Sequence, residues 1–311
     1  MTTRLPVLIQ GGMGVGVSNW RLARAVSRAG HLGVVSGTAI DSVMVRRLQL
    51  GDPDGDVRRA LGAFPVPDVA ERVISRYFVA GGKLPGERFA RTSMRRENPS
   101  RDLEDLLVAA NFVEVHLAKE GHDGIVGINY LEKVQAPTLP SIYGAMLADV
   151  DYVLMGAGIP KAIPAVIDRL AEGLEVEMKL DVKGAAGNER FFSRFDPATA
   201  VRAEPRAAPA VKRPAFIAIV SSHVLASMLA TKIDVPVDGF VVEAPTAGGH
   251  NAPPRGRLQL NEAGEPVYGE RDVPDLDAVR ALGLPFWLAG GIVGPEGVRR
   301  ALDLGAAGVQ V

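Results

Sequence analysis

Short runs of apolar and β-branched residues recur along the chain, each closing on small residues and most leading into a stretch with helical spacing. A parallel α/β sheet reads this way, because strands covered on both faces show continuous apolar runs rather than strict alternation. Eight runs stand out, at 7–10, 32–36, 124–129, 152–155, 216–220, 239–243, 286–289 and 307–311. The first passes through Gly11, Gly12 and Met13 into an amphipathic stretch that opens near Ser18 or Asn19, either a good N-cap, and reaches about Gly30. A helix over 141–149 follows the third run, Pro160 is placed to open one after the fourth, and Ser221-Ser222 caps one through Ala230 after the fifth. Eight β-then-α units with right-handed crossovers predict an α/β fold of the (β/α)8 TIM barrel type.

Two stretches interrupt the repeat. Residues of about 41–121 carry several helical patterns, among them 67–79 and 103–119, and predict a helical excursion between strands two and three. Residues 183–214, rich in Ala, Pro, Arg and Glu, follow a strand-like segment at 176–182; they predict a hairpin or flap inserted before strand five, since a structureless loop of that length is unusual in a compact domain. The whole of 1–311 reads as one barrel domain. No helical pattern follows the eighth run, so the last helix is missing from the repeat and the reading expects a natural chain that continues beyond Val311.

Composition narrows the chemistry. Gly 35 and Pro 22 together make about 18% of the 311 residues, against a usual ~12%, so tight turns and close backbone approaches are frequent and a helical bundle is disfavoured. Without cysteine, a disulfide framework, a thiolate nucleophile, an Fe–S cluster and a Cys-ligated zinc are excluded. A formal charge of −1 gives no global field toward nucleic acid or an anionic membrane, and no apolar run approaches the ~20 residues that span a bilayer. The chain therefore reads as a cytoplasmic enzyme that binds neither nucleic acid nor membrane, with an oligomer left open.

Barrels bind ligands at the carboxyl ends of their strands. Here those ends are Gly11-Gly12-Met13, Asn129, Gly156-Ala157-Gly158, the stretch from Glu243 through Gly248 and Gly249 to His250, and Gly290-Gly291. Repeated glycine at such positions suggests backbone N–H groups close to a flat ligand carrying a phosphate. The loop after strand one also admits a dinucleotide site, although its spacing is not G-x-G-x-x-G and no acidic residue closes strand two, or a plain tight turn. Gly290 and Gly291, opening toward a helix at Pro295, suit a phosphate at a helix amino terminus.

His250 is the sharpest single residue. It follows two glycines on a loop beyond an acidic strand end, where an imidazole that titrates near neutrality can take or give a proton. His31, His116, His122 and His223 read as structural, and no residues at metal-ligand spacing surround His250. Arg255 and Arg257 are candidates for a phosphate, although solvated loop charge is their more frequent role.

Read together, 9–13 (IQGGM), 242–250 (VEAPTAGGH) and 288–292 (LAGGI) resemble the nitronate monooxygenase family, also called 2-nitropropane dioxygenases, FMN-dependent (β/α)8 barrels. The same superfamily includes flavin-dependent enoyl-ACP reductases and the reductase components of polyunsaturated fatty acid synthases; the excursion containing 64–72 and 77–83 looks most like the latter branch. The resemblance implies that Gly11, Gly12 and Met13 line the isoalloxazine, that Asn129 hydrogen-bonds it, and that Ser221 faces its edge. It also implies that Gly248 and Gly249 approach the flavin or ribityl atoms, that Gly290 and Gly291 form the phosphate loop, that Gln310 on strand eight joins the FMN site, and that His250 is the acid/base. The implied activity is oxidation of nitronates or nitroalkanes with O2. The alternatives are an NAD(P)H-dependent enoyl thioester reductase working with acyl carrier protein, and a barrel that binds a phosphorylated ligand without turnover.

Overall fold

The computed structural model describes residues 5–94, 96–202, 208, 210–248 and 252–311. In chain order the elements are β1 (Leu8–Gln10), α1 (Trp20–Arg28), β2 (Leu32–Ser36), α2 (Ile40–Gln49), α3 (Asp56–Gly62), α4 (Pro67–Tyr77), α5 (Arg101–Lys119), β3 (Val126–Leu131), α6 (Thr138–Leu147), β4 (Tyr152–Gly156), α7 (Ile163–Ala171), β5 (Val176–Leu180), β6 (Phe191–Phe195) and α8 (Pro197–Ala200). They continue with β7 (Ala215–Val220), α9 (His223–Thr231), β8 (Gly239–Glu243), a 3-10 turn at Glu270–Asp272, α10 (Leu276–Arg280), β9 (Phe286–Ala289), α11 (Gly294–Asp303) and β10 (Gly308–Gln310). Eight strands close a barrel in the order β1-β10-β9-β8-β7-β4-β3-β2, every pair parallel. This is the (β/α)8 fold that the apolar runs predict. No helix among the described residues is long and apolar enough to cross a membrane.

Local chemistry sets where the elements begin. Asn19 caps α1 by accepting from the Arg21 and Leu22 N–H groups, and Ser222 caps α9 through the Leu225 N–H. Strand three runs two residues later than its apolar pattern predicts. A Cβ on Gly124 would lie 2.5 Å from the Ser27 carbonyl, so that glycine packs beneath α1, and pairing starts at Val126, whose N–H donates to Asp151. Helix α6 starts at Thr138 rather than Ser141, its hydroxyl donating back to the Val134 carbonyl, and α7 starts at Ile163 rather than at Pro160.

The excursion is α3, α4 and α5, docked beside the barrel with α2. Buried Glu114 on α5 ties it down, accepting from the Trp20 N–H at 2.8 Å and from Arg47 at 2.6 Å. The 176–182 segment forms β5, which pairs antiparallel with β6 outside the barrel, so the insertion is a hairpin. Its burial alternates along the strand, whereas β2 and β4 are buried at every position.

The barrel is filled from its amino end. Ile9, Leu32, Val34, Leu154, Ile217, Ile219, Val241 and Trp287 form one interior cluster, and the fully buried Trp287 donates its indole N–H to the Pro6 carbonyl at 2.6 Å. Ligand access is thereby confined to the carboxyl end. Trp287→Ala is expected to lower stability by ~3–5 kcal/mol, measured as a shift in urea unfolding; a loss below ~1 kcal/mol contradicts this packing.

Candidate functional site

Because all eight strands are parallel, their carboxyl ends meet at one mouth. The register shows which side chains point inward there. Ile9 pairs with Gln310, Gln310 with Ala289, and Ala289 with Glu243; since Ile9 and Ala289 belong to the interior cluster, Gln310 and Glu243 face the same interior. On the opposite wall Asn129 pairs with Leu154 and faces inward by the same argument. Polar side chains thus form the uppermost inward layer, above apolar ones.

That layer holds two acceptors with no partner among the described residues, Asn129 Oδ1 and Gln310 Oε1, both buried. The orientation of the Asn129 amide is set by its nitrogen, which lies 3.4 Å from both the Gly12 carbonyl and Met13 Sδ. Its oxygen is the atom left over. Leaving such an acceptor unpaired costs ~1–3 kcal/mol, so a ligand that brings a donor gains that much.

Glu243 is another inward polar group. Burial pushes its carboxyl up to about 7, into the range where a carboxylic acid exchanges protons at neutral pH. Together with Ser221 and Tyr268 it lines a cavity of about 20 Å³, room for roughly one water. The loop after β8 closes over this corner: Arg255 donates from its side chain to the Ser221 carbonyl at 3.1 Å and from its backbone to Asp272 at 2.7 Å, and the Tyr268 hydroxyl donates to the Ala252 carbonyl at 3.0 Å. Arg255 thus ties this loop to the end of β7 through one of its guanidinium donors.

The glycines gather at the mouth, but for different reasons. A Cβ on Gly12 would lie 2.6 Å from Val34 Cγ1 and 2.9 Å from Asn129 Cβ, and one on Gly290 would lie 2.6 Å from the Ala247 nitrogen. Both are small because neighbours press against them, strands β2 and β3 at Gly12 and the loop after β8 at Gly290. The crowding lies where a Cβ would project, and it is a reason for glycine at these two positions besides any backbone approach to a ligand. Gly290 and Gly291 both adopt left-handed backbone, φ 102° and 67°, and lead into α11, where Pro295 occupies the first turn. Gly11 and Gly248 have no such crowding; a Cβ on Gly11 meets nothing nearer than the Val311 carbonyl at 3.4 Å, and one on Gly248 meets nothing within 4 Å.

Gly249 and His250 lie outside the described residues. Among the other histidines, His122 lies 2.7 Å from the Ala118 carbonyl and accepts from the Gly124 N–H, and His116 stacks on Phe112. His223, opening α9, leaves Nδ1 buried without a partner among the described residues.

No protein-family model matches the chain, and no curated protein does. Solved structures similar to it include FabK from Thermotoga maritima, 18% identical with a TM-score of 0.48, covering 98% of this chain and 57% of that one. A nitroalkane oxidase from Streptomyces ansochromogenes is 14% identical, TM-score 0.46, with 98% and 64% covered. The enoyl reductase domain of MlnA, from the macrolactin biosynthesis cluster of Bacillus amyloliquefaciens, is 12% identical, TM-score 0.44, with 98% and 52% covered. The chain spans less than two thirds of the length of each.

A carboxyl raised from 4.5 to about 7 keeps a proton in the folded protein that the unfolded chain has released. The contribution of Glu243 is therefore most favourable below about pH 4.5 and is lost as pH rises to 7. Relative to Glu243→Gln, the wild type is expected to lose on the order of 2 kcal/mol between pH 4.5 and pH 8, allowing for partial exposure. Urea unfolding of both proteins at the two pH values measures it, and parallel pH dependence contradicts the raised value.

Proposed function

We propose that the protein is an FMN-dependent oxidoreductase that oxidises nitronates and nitroalkanes with O2. The observation that carries this reading is the pair of buried, unpartnered acceptors, Asn129 Oδ1 and Gln310 Oε1, facing the barrel interior below a mouth built from glycine turns. FMN carries the complementary donors, an imide N–H on its ring and hydroxyls on its ribityl chain. The resemblance of 9–13, 242–250 and 288–292 to nitronate monooxygenases supports the same assignment.

In this reading Asn129 accepts from the flavin ring, with Gly11, Gly12 and Met13 along it, and Gln310 accepts a second donor. Ser221 faces the ring edge, and Gly248 and Gly249 lie along the cofactor. Gly290, Gly291 and the first turn of α11 take the phosphate, where backbone N–H groups and the helix dipole favour an anion. Bound FMN supplies the redox chemistry, and the protein supplies orientation and proton handling. His250 removes the α-proton from a neutral nitroalkane, leaving its anion in the site. The interior below the site is packed with Ile219, Val241 and Trp287, which keeps water from the buried face of the ligand.

The purified protein is expected to carry flavin absorbance, or to gain it when FMN is added. Asn129→Leu is expected to weaken FMN about tenfold, the equivalent of one hydrogen bond of ~1.4 kcal/mol. His250→Ala is expected to keep flavin and lose at least about 10² in rate. Oxygen uptake on 2-nitropropane or propionate 3-nitronate tests the substrate class. NAD(P)H consumption with an enoyl thioester, and no oxygen uptake on nitronates, overturns it in favour of an enoyl reductase; a protein that takes up no flavin overturns the reading entirely.

A further inference from the structure

Beside the mouth, outside the barrel wall, a cavity of about 130 Å³ lies between the loops that follow β2 and β3 and the helices α5 and α6. Ile40, Leu107 and Tyr130 at its floor are buried, whereas Val134 at its rim meets solvent. It adjoins the proposed cofactor site through Gly37, which lines the cavity and donates its N–H to the Asn129 carbonyl at 2.7 Å. A Cβ on Gly37 would fall 2.3 Å from the Tyr130 ring, so only glycine fits this shared wall. In the next turn Ala39, which lines the cavity and precedes α2, has φ 54°, a left-handed conformation uncommon for non-glycine residues.

Most of the polar side chains around this cavity are engaged within the protein. The Tyr130 hydroxyl lies 2.9 Å from both Asn111 Oδ1 and the Ser141 carbonyl, Asn111 Nδ2 donates to the Leu107 carbonyl at 2.8 Å, and Thr138 donates to the Val134 carbonyl at 3.0 Å. Asp41 is engaged as well. An occupant therefore meets mainly the apolar surface of Ile40, Leu107, Leu131 and Val134, with the Thr38 hydroxyl also on the lining. The volume is close to that of the ~150 Å³ apolar cavity that takes up benzene, enough for an aliphatic group of about five carbons.

We propose that this cavity receives the aliphatic chain of the substrate, so that the protein selects alkyl substrates of about five carbons over the smallest ones. The proposal rests on the oxidoreductase reading above. Burying each methylene is worth about a fourfold gain in binding, and the gain ends when the cavity is full.

The test compares wild type with two filled variants, Val134→Trp at the rim and Leu107→Phe at the floor, each checked for folding by circular dichroism. With FMN-loaded wild type, kcat/KM is expected to rise about fourfold per carbon from nitroethane to 1-nitropentane and to level off by 1-nitroheptane. The nitropentane-to-nitroethane ratio is expected to fall at least about tenfold in a folded variant. A flat series in wild type, or an unchanged ratio in the variants, overturns the proposal. Calorimetric titration with 1-hexanol reads the same cavity without turnover: binding by wild type, weakened about tenfold in the variants, supports it, and no binding by wild type overturns it. Hexanol binding by a protein that takes up no flavin leaves the alkyl site standing and overturns the oxidoreductase reading instead, so the two failures are distinguishable.

Discussion

Closure of the parallel sheet between β1 and β10 is the constraint on which the rest of the structure depends. The pairing of Leu8 with Val309 and Ile9 with Gln310 joins the two ends of the chain into the last seam of the barrel. With that seam made, every strand points the same way and every strand end reaches one mouth. The seam also turns Gln310 inward, opposite the wall that carries Asn129. A one-residue slip at β10 would turn Gln310 to the outer face and bring Val309 into the barrel.

The energetic division within the barrel follows from that geometry. Its lower layers are apolar and sealed by the Trp287 indole bonded to Pro6, and its upper layer holds amides and a carboxyl that the protein does not fully satisfy. Folding tolerates unsatisfied polar groups poorly; others lie outside the barrel, at Trp20, Arg24, Tyr143 and His223, but inside it the two unsatisfied amide oxygens sit at the open end, where they cost stability. A ligand with donors on its edge recovers that cost on binding. Glu243 fits the same pattern, since burial favours the uncharged form of its carboxyl.

Most of the fold was legible in the sequence because strands buried on both faces leave continuous apolar runs; β2, β8 and β9 occupy the same residues as their runs. The hairpin was legible as a strand-like segment, and the alternation of Val176, Met178 and Leu180 with Glu177 and Lys179 already distinguishes it from a barrel strand. The site was legible only in part. Gly12 and Gly290 stood out as glycines, yet what crowds them is Val34, Asn129 and Ala247, neighbours that sequence spacing does not reveal. Glu243 stood at an acidic strand end, but its raised pKa depends on burial at a corner covered by residues 252–272, a tertiary fact. The cavity beside Tyr130 is assembled from elements far apart in the chain, and no local motif announces it.

In the proposed function, the unpaired acceptor on Asn129 receives a donor from the flavin ring. Proton–nitrogen NMR of 15N-labelled FMN bound to the protein reads that donor directly. The imide N–H of the bound ring is expected to appear as a downfield-shifted resonance protected from exchange with water, and to lose that protection in Asn129→Leu. An imide proton that exchanges as fast in the bound cofactor as in free FMN contradicts it.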